Sequence, residues 1–250
     1  MISAAIVSFN EAEKLERCLE SIRDFVDEIV IVDLGSKDET KNVCEKYGAK
    51  IFHHKFVPYV EKIRNFSISK ASNEWILILD PDEYIPDSLK NELKKVSESK
   101  EYSAVNIPRK NIFFGKWITH TNWWPDKHVR FFQKGSVSWS QIHLYPKVSG
   151  KILELPAKEK LAIIHYGYSD ISEFIDRQNR YAEVESEEAY EKGIRFSWIS
   201  FFWWPARVFL TRFIKHQGYL DGIYGFVLTY LMMIYKITVL VKLWEKRNAR

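Results

Sequence analysis

Cysteine is scarce in this sequence: of 250 residues only two, Cys18 and Cys44, are cysteines. They form no CxxC pair and no His/Cys cluster, so the sequence excludes a disulfide scaffold and a zinc site of the usual spacing. Both cysteines fall in segments with helix-like patterns. We therefore expect two buried thiols in a protein of a reducing compartment.

The glycine-rich loops that bind phosphate groups are also missing. The chain has 10 glycines, and none of them forms a GxGxxG or GxxxxGK[ST] pattern, which excludes the usual dinucleotide site and the P-loop. No GxSxG elbow or Cys/His pair indicates covalent catalysis. A phosphate-bearing ligand would therefore need a metal ion and basic side chains, for which Arg64, Arg109 and Arg130 are available.

A secretory signal peptide is not expected, because Met1 leads directly into an apolar, strand-like run without a basic segment before it. The length suits one large domain, or one domain with an appendage. An apolar content of 46% and a charged content of 28% exclude a globally disordered chain. No repeat or low-complexity linker indicates a sharp domain boundary before about residue 193.

Acidic residues are scarce at the C-terminal end. Residues 195–250 carry nine Lys/Arg and two acids, a net charge of +7, whereas the whole chain has +4 and the first 194 residues therefore have −3. Trp, Phe and Tyr alternate with these basic residues, a composition typical of the membrane interface. Such a surface is too apolar for nucleic acid, which we do not expect as a partner.

The tail has no long uncharged segment either. Its uncharged run, residues 222–235, has 14 residues and is shorter than the roughly 20 that a spanning helix needs. We expect two amphipathic helices in residues 193–250, lying on the anionic cytoplasmic face of the membrane. The alternatives are a homodimer interface or helical cap on the core, and a spanning hairpin interrupted at Lys236.

What the first hundred residues do contain is a regular alternation of strands and helices. The strands are apolar throughout rather than alternating in polarity, which indicates a parallel sheet covered on both faces. Asn10 with the acids that follow it predicts a helix start, and Gly48 predicts a helix end. The predicted strands are 2–8, 28–33, 49–54 and 74–79, and the predicted helices begin near residues 11, 38, 60 and 86.

Each of these strands runs directly into polar side chains. Because parallel sheets bind ligands beyond the carboxyl ends of their strands, we expect these side chains to line one binding edge. The residues are Ser8, Asn10 and Glu11 after the first strand, Asp33 after the second, His53 and His54 after the third, and Asp80, Asp82 and Glu83 after the fourth.

The carboxylates of Asp80 and Asp82 fit the demands of Mg²⁺ or Mn²⁺, which take oxygen ligands and bind through one or two carboxylates plus substrate phosphates. The other interpretation is a helix N-terminus, where acidic residues are favoured. His165, at the end of the apolar run "LAIIH", is a structural histidine or a further metal ligand.

The second part of the chain changes character. Short strand-like runs broken by Gly and Pro in residues 103–165 indicate antiparallel strands packed onto the first half, and residues 171–192 read as a polar helix.

Several segments together resemble family 2 glycosyltransferases of the GT-A fold. They are "AAIVSFNEAEKLERCLESI", "DEIVIVDLGSKDET", "KIRNFSI" and "WILILDPDEYI". The later segments "NIFFGKWI", "WWPDKHVRFF", "LAIIHYGY" and "GYLDGIYGF" resemble the branch that contains lipopolysaccharide-core β-1,4-glucosyltransferases. The resemblance covers nearly the whole chain. It implies an α/β, Rossmann-like, mostly parallel sheet in residues 1–192, with a small antiparallel extension, followed by membrane-associating amphipathic helices in residues 193–250.

The resemblance also implies a nucleotide-sugar donor and a divalent metal, Mg²⁺ or Mn²⁺. The segment "DPDE" matches the family's DxD-type motif, so Asp82 would bind the metal and Asp80 would lie near the ribose and the metal. Glu11 and Asp33 would contact the nucleoside, with Ser8 and Asn10 in the same loop region. Arg64 would lie near the base or the phosphates.

The mechanism implied by the resemblance is a single inverting displacement by an acceptor hydroxyl, with a carboxylate as general base. Asp126 is the predicted base, and Arg130 is predicted to hold the leaving phosphate or to form a structural ion pair. Relatives often carry an acid directly after the histidine that matches His143, whereas this chain has Leu144. If that acid were the base, His143 would have to serve instead.

The implied activity is transfer of a hexose, with UDP-glucose as the expected donor, to a glycolipid or lipid-linked acceptor such as the lipopolysaccharide core at the cytoplasmic membrane face. One alternative acceptor is a polyprenyl phosphate or a polyprenyl-linked glycan. A second alternative, motivated by Leu144, is a catalytically inactive nucleotide-binding module recruited to the membrane.

Overall fold

The computed structural model describes residues 1–57, 60–139 and 146–248, without the side chains of residues 61, 62, 247 and 248. The chain forms two compact units. The first consists of Met1–Lys110 and Pro125–Tyr166, and the second of Asn111–Trp124 and Gly167–Arg250.

The predicted parallel sheet forms the centre of the first unit. Its strands are β1 (Ile2–Ser8), β2 (Glu28–Asp33), β3 (Lys50–His53) and β4 (Trp75–Leu79), in the order β3-β2-β1-β4. All three neighbouring pairs are parallel. Every residue of β1, β2 and β4 is buried, which explains why these strands are apolar throughout instead of alternating in polarity.

Four helices connect and cover these strands, close to where the sequence predicts them. They are α1 (Ala12–Ile22), α2 (Thr40–Lys46), α3 (Glu61–Lys70) and α4 (Asp87–Ser99). Gly48 follows the end of α2 and has a left-handed backbone conformation, with φ 64°, as its position predicted. Cys18 and Cys44 are both buried and not disulfide-bonded, which confirms the expectation of buried free thiols.

The prediction that Asn10 caps α1 is wrong. The capping position belongs to Glu11, whose own side chain makes no capping hydrogen bond, and the backbone N–H of Ala12 donates to Asp38 Oδ2 at 3.0 Å instead. Asn10 instead adopts a left-handed backbone conformation, with φ 53°, and its side-chain oxygen accepts a hydrogen bond from the backbone N–H of Lys37 at 2.8 Å. Asparagine tolerates this conformation because its short polar side chain can hydrogen-bond locally.

Antiparallel strands extend the sheet, as predicted for residues 103–165. The later strands are β5 (Glu83–Tyr84), β6 (Ala104–Phe113), β7 (Lys116–Trp117), β8 (Lys127–Gln133), β9 (Val137–Ser138), β10 (Lys147–Val148), β11 (Ile152–Glu154) and β12 (Ile163–Tyr168). In the first unit, β8 pairs antiparallel with β4 and with β6, and β12 pairs antiparallel with β5. β11 pairs parallel with β6, which the sequence did not predict.

Glu28 is a buried carboxylate that stabilises the end of the sheet away from the strands' carboxyl ends. It accepts hydrogen bonds from Ser3 Oγ at 2.5 Å, Lys50 Nζ at 2.6 Å and the backbone N–H of Ser72 at 2.7 Å. Burial alone would raise the pKa of Glu28, but these hydrogen bonds outweigh it and lower the pKa to about 2.

Replacing Glu28 by glutamine is therefore expected to lower the free energy of unfolding by about 2 kcal/mol at pH 7. Because the folded-state pKa is depressed, the contribution is complete above pH 4.5 and is lost as the pH falls toward about 2. Urea denaturation at pH 7 and pH 3 measures this difference. Glu98→Gln, an exposed site on α4, is the control, and an equal effect of the two variants at pH 7 would contradict the prediction.

The second unit is mostly helical. It contains α5 (Ile171–Glu191), α6 (Trp198–Phe209), a π-helical segment (Leu210–Lys215), a 3₁₀ turn (Gly218–Asp221) and α7 (Ile223–Asn248). The polar helix α5 and the two α-helices of the tail confirm the predicted secondary structure of residues 171–250. Within this unit α5 packs against α7, and α6 also packs against α7.

The segment "GYLDGIYGF" is explained by a close packing contact in the second unit. The carboxylate of Asp221 is buried and accepts the backbone N–H groups of Thr119 at 3.1 Å and His120 at 2.9 Å. A Cβ on Gly225 would lie only 1.8 Å from the backbone oxygen of Gly218. Only glycine lets the first turn of α7 approach this loop so closely.

The uncharged run 222–235 is shorter than the apolar helix to which it belongs. Among the described residues one helix, Ile223–Lys246, is long and apolar enough to cross a membrane by length and composition alone, contrary to what the length of the run suggested. Lys236 lies within this helix and pairs with Glu185 of α5 in the same unit. The ion pair neutralises the charge that the sequence argument treated as an interruption.

Candidate active site

The carboxyl ends of the parallel strands bring the predicted polar side chains to one edge of the first unit. Ser8 at the end of β1 lies in register with Asp33 at the end of β2. Ile6 of β1 is paired with Leu79 of β4, so Asp80 follows at the same edge. The hydroxyl of Ser8 is buried and has no hydrogen-bond partner among the described residues.

The loops after β1 and β2 are tied together at this edge. The backbone N–H of Asn10 donates to Ser36 Oγ at 2.9 Å, while its side chain accepts from Lys37. The carboxylate of Asp33 accepts the backbone N–H groups of Gly35 at 3.3 Å and Ser36 at 3.1 Å. These bonds fix two predicted nucleoside-binding residues in one rigid pair of loops.

Two aromatic rings stand beside these loops. Phe9 follows β1 and Phe56 follows β3, and their ring centroids lie 4.8 Å apart. Both are exposed, at 37% and 56% of their surface. Glu11 is half-buried, and His53 Nδ1 lies 3.4 Å from the Asp33 carboxylate. The edge therefore offers carboxylates and an apolar ring surface next to each other.

Asp80 lies between two arginines. Arg64 of α3 donates to Asp80 Oδ1 at 3.0 Å, and Arg130 of β8 donates to Asp80 Oδ2 at 2.8 Å. Burial would raise the pKa of Asp80, but the charges of Arg130 and Arg64 outweigh it and hold the pKa well below its ordinary value. The Asp80 carboxylate is therefore ionised and engaged by cations on both oxygens.

Glu83 is the buried centre of this ion network. Its Oε1 accepts from Arg130 at 2.7 Å and lies 3.5 Å from Arg109 Nη1, and its Oε2 accepts the backbone N–H of Asp80 at 2.9 Å. Burial raises the pKa of Glu83, against the lowering effect of the Arg130 charge. Burial would lower the pKa of Arg130, but Asp80 and Glu83 raise it. Arg130 thus has the structural ion pairs that the sequence left as one of two interpretations.

Asp82 lies next to His165. The imidazole Nε2 of His165 is 3.5 Å from Asp82 Oδ2, and both side chains are buried. Two contacts fix this pair: the backbone N–H of Tyr166 donates to the Asp82 carbonyl at 2.9 Å, and His165 lies opposite Glu83 in the β12–β5 ladder. The carboxylate is a ligand type that suits both Mg²⁺ and Mn²⁺.

The three residues predicted as metal ligands are not gathered into one cluster. Within residues 1–57, 60–139 and 146–248, no group of three or more His, Cys, Asp and Glu side chains is arranged to hold a metal. Cys18 also lies near these acids, but burial, followed by the charges of Glu83, Asp82 and Asp80, raises the pKa of its thiol well above the ordinary value. Without a bound cation the thiol is therefore protonated.

Asp126, the predicted base, accepts two hydrogen bonds from Arg109 on one of its oxygens. Arg109 donates to Asp126 Oδ2 from Nε at 2.9 Å and from Nη2 at 2.7 Å, and its backbone N–H donates to the Asp126 carbonyl at 3.0 Å. The other oxygen, Oδ1, lies 2.9 Å from Nε2 of His128. Asp126 is thus connected through Arg109 to Glu83.

His143 and Leu144 lie outside the described residues, so the alternative base stays a prediction. Among the residues placed at the edge, the sequence analysis did not assign roles to Glu83, His128, Phe9 and Phe56. The position of His128, two residues after Asp126, could have indicated it, since the two side chains are hydrogen-bonded.

Comparison with known proteins relates the chain to glycosyltransferases. The chain is 26% identical over 262 residues to an uncharacterised glycosyltransferase of Rickettsia felis, covering 98% of this chain and 89% of that protein. It is 22% identical over 258 residues to the lipopolysaccharide core biosynthesis glycosyltransferase LpsC of Rhizobium meliloti, covering 100% of this chain and 94% of that protein.

A solved structure shares the fold. The mannosyltransferase PcManGT from Pyrobaculum calidifontis, solved in complex with GDP-Man and Mn²⁺, superimposes with a TM-score of 0.56 at 14% identity, covering 98% of this chain and 87% of that one. The predicted GT-A fold is thereby confirmed. The family model described as "Glycosyl transferase family 2" matches residues 3–150, which include Asp33, Arg64, Asp80, Asp82 and Asp126. The chain belongs to glycosyltransferase family 2 and is a glycosyltransferase.

Proposed function

We propose that this glycosyltransferase transfers a hexose from a nucleoside-diphosphate sugar to a lipid-linked acceptor at the cytoplasmic face of the membrane, with inversion at the anomeric carbon. The single observation that carries the donor proposal is the edge of the parallel sheet, where Asp33 ends β2 and Asp80 and Asp82 follow β4, on either side of β1. Loops at this edge are where open α/β sheets bind their ligands.

The charges of the site support a divalent cation. Four carboxylates face three guanidinium groups in the network, so the site has a formal charge of −1 when its imidazoles are neutral. A diphosphate would be repelled by such a site unless a cation were bound with it. The carboxylates are Asp80, Asp82, Glu83 and Asp126, and the guanidinium groups are Arg64, Arg109 and Arg130.

The chain offers two ligands for that cation, Asp82 and His165, whose side chains lie together. Asp80 is less suited than the sequence suggested, because both of its oxygens accept hydrogen bonds from arginines. Two protein ligands suffice for Mg²⁺ or Mn²⁺, which complete their coordination with substrate phosphates and water. When bound, the cation would neutralise charge on the departing diphosphate.

The nucleoside is assigned to the loops after β1 and β2. Asp33 and Glu11 are acceptors for ribose hydroxyl or base N–H groups, and Ser8 and Asn10 shape the loop between them. The exposed rings of Phe9 and Phe56 offer a stacking surface for the base. The expected donor is UDP-glucose, because the sequence resembles lipopolysaccharide-core glucosyltransferases and is similar to LpsC over its full length.

The membrane proposal rests on the second unit, where the apolar stripe of α7 faces outward and its lysines face α5. Exposed apolar residues recur every three or four positions over much of the helix, as expected for one helical face. They are Ile223, Phe226, Tyr230, Ile234, Val241 and Trp244. On the other side, Lys236 pairs with Glu185, and Lys242 and Lys246 pair with Glu183.

This arrangement favours a helix that lies on the membrane over one that crosses it. A spanning α7 would carry the charged residues of its partner α5 into the hydrocarbon, where each costs about 3 kcal/mol. The helix α6 adds further exposed apolar side chains, including Ile199 at 81% and Phe202 at 69% exposure. An in-plane surface of α6 and α7 can bury these groups in the lipid interface without exposing backbone polar groups.

The double variant Ile199→Ser/Phe202→Ser is therefore expected to lower the partition of the full-length protein onto anionic vesicles by about tenfold or more, because two large apolar groups no longer insert. Flotation with anionic vesicles that contain about 30% phosphatidylglycerol measures the bound fraction. Ile152→Ser, an exposed apolar residue on β11, is the control.

An unchanged bound fraction for the double variant would contradict the membrane surface. The homodimer alternative gives a different result, since the double variant would then change the sedimentation coefficient of the protein in the absence of vesicles.

The donor and the activity are tested together with a panel of nucleotide sugars. The purified full-length protein is incubated with Mn²⁺, membrane glycolipid and UDP-glucose, UDP-galactose or GDP-mannose, and release of the nucleoside diphosphate is measured. We expect release with a UDP-hexose that depends on the glycolipid. Binding of UDP without release from any donor would favour the inactive module, and release without glycolipid at the same rate would contradict a lipid acceptor.

A further inference from the structure

The geometry around Asp126 leads to an inference that rests on the proposed transfer reaction. We infer that His128, positioned by Asp126, is the group that removes the proton from the acceptor hydroxyl. Asp126 was predicted as the base from the sequence, and the structure suggests a division of this role between the two residues.

Both oxygens of the Asp126 carboxylate already accept hydrogen bonds. Arg109 occupies Oδ2 with two N–H groups, and Oδ1 lies at hydrogen-bond distance from His128. Taking a proton onto Asp126 would remove the negative charge on which its hydrogen bonds from Arg109 depend, and such charge-assisted hydrogen bonds are among the stronger ones in proteins. Asp126 is therefore better suited to hold its neighbour than to accept the proton itself.

The same contact determines which nitrogen of His128 is free. Because the carboxylate is an acceptor, Nε2 of His128 carries the hydrogen and donates it to Asp126 Oδ1 at 2.9 Å. The lone pair then lies on Nδ1, which has no hydrogen-bond partner among the described residues. A carboxylate that fixes the tautomer of an imidazole in this way is the arrangement that prepares a histidine as a general base.

His128 also has the right access and neighbourhood. Its side chain is 36% exposed, so a hydroxyl group can approach it from solvent. Its partner Asp126 accepts from Arg109, which also approaches Glu83, and Glu83 and Asp80 both accept from Arg130. β8 runs antiparallel to β4, with Phe131 opposite Leu77, so the chain from Arg130 back to His128 runs toward the carboxyl end of β4.

Charges of both signs face His128. Arg109 on β6 and Arg130 on β8 favour the neutral imidazole, whereas Asp126 favours the protonated form. Burial and the charge of Arg109 lower the pKa of His128, while the hydrogen bond and charge of Asp126 oppose this effect. The imidazole is thus an unprotonated base at pH 7, while the carboxylate can stabilise the imidazolium that forms during the reaction.

The proposed transfer is a single displacement at the anomeric carbon. The acceptor hydroxyl loses its proton to Nδ1 of His128, and its oxygen forms a bond to the anomeric carbon of the donor sugar. The bond from that carbon to the phosphate oxygen breaks, and its electron pair leaves with the nucleoside diphosphate. The imidazolium then returns its proton to water, so His128 is regenerated without a further reactant.

Two variants separate this inference from the alternative in which Asp126 is the base. His128→Gln is expected to lower kcat by about 10²- to 10⁴-fold, the range of a lost general base, with little change in the donor KM. It also removes the acidic limb of the pH profile of kcat. Asp126→Asn keeps the imidazole, so we expect a smaller loss of about 10- to 100-fold, together with a shift of that limb to lower pH because the imidazole loses a carboxylate partner.

The inference is overturned if His128→Gln retains the acidic limb, or if Asp126→Asn is the less active of the two variants. His216→Gln is the matched control, because His216 is a half-buried histidine of the second unit outside the site, and we expect wild-type kcat. Mn²⁺-dependent UDP binding by each variant checks that the donor site is folded. A wild-type protein without transfer activity would overturn the proposed function itself, whereas an active wild type with an unaffected His128→Gln variant would overturn only this inference.

Discussion

Replacing Asp82 by asparagine is expected to lower Mn²⁺-dependent sugar transfer by about 10²- to 10³-fold, the range for the loss of one group that stabilises developing charge. The substitution keeps the size and most of the shape of the side chain. It removes the negative charge beside His165, which the proposed site uses to bind the cation and, through it, the diphosphate. The rate of nucleoside diphosphate release at saturating donor measures the effect.

Asp87→Asn is the control for the loss of one carboxylate in the same region of the sequence. Asp87 is exposed in the first turn of α4 and pairs only with Lys90, so we expect no measurable loss of activity. If Asp82→Asn kept more than a tenth of the wild-type rate, a role for Asp82 in binding the cation would be refuted.

Replacing Arg130 by alanine is expected to lower the free energy of unfolding by about 3–5 kcal/mol, the range observed when one partner of a buried ion pair is removed. Arg130 is buried and donates to Asp80 at 2.8 Å and to Glu83 at 2.7 Å. Its loss leaves the fully buried carboxylate of Glu83 and the partly buried carboxylate of Asp80 with less compensating charge. Urea denaturation at pH 7 measures the change.

Two further variants make this prediction specific. The double variant Arg130→Met/Glu83→Gln removes the guanidinium and one buried carboxylate together. Its free energy of unfolding is therefore expected to be at least about 1 kcal/mol higher than that of Arg130→Ala. Arg23→Ala breaks an exposed pair with Glu20 and is expected to cost less than about 1 kcal/mol. Equal losses for Arg130→Ala and Arg23→Ala would show that the network does not stabilise the fold.

The position of the site could be predicted from the sequence because it depends on local features. Four apolar strands of similar pattern each ended in polar residues, and parallel pairing brings such ends together at one edge. Asp33, Asp80 and Asp82 could therefore be placed without knowing any contact between distant residues. Local patterns also predicted the helix after the acidic cluster, which is α4, and a polar helix in residues 171–192, which is α5 (Ile171–Glu191).

The partners of these residues could not be predicted, because they depend on antiparallel registers between distant segments. Asp80 and Arg130 are 50 residues apart, and no local pattern shows that β8 lies beside β4. From the sequence we therefore predicted that Asp80 contributes to the metal site, whereas in the structure its carboxylate binds two arginines. His165 and Asp82 are likewise brought together by the pairing of β12 with β5.

Two local errors have similar causes. Asn10 fits the composition of a helix cap, but a tertiary hydrogen bond from Lys37 holds it in the left-handed conformation instead. Lys236 was read as an interruption of an apolar segment, although its charge is neutralised by Glu185 in the neighbouring helix. In both cases a contact with a distant part of the chain overrides a sound local rule.

The most direct test of the account is the binding of UDP, with GDP in parallel, to the wild-type protein in the presence of Mn²⁺ and in the presence of EDTA. Isothermal titration calorimetry gives the affinity under each condition. We expect at least one of the two nucleotides to bind about tenfold tighter or more with Mn²⁺ than with EDTA. The reason is that a site with a formal charge of −1 needs the cation to accept a diphosphate. Equal affinities with Mn²⁺ and with EDTA for both nucleotides would contradict it.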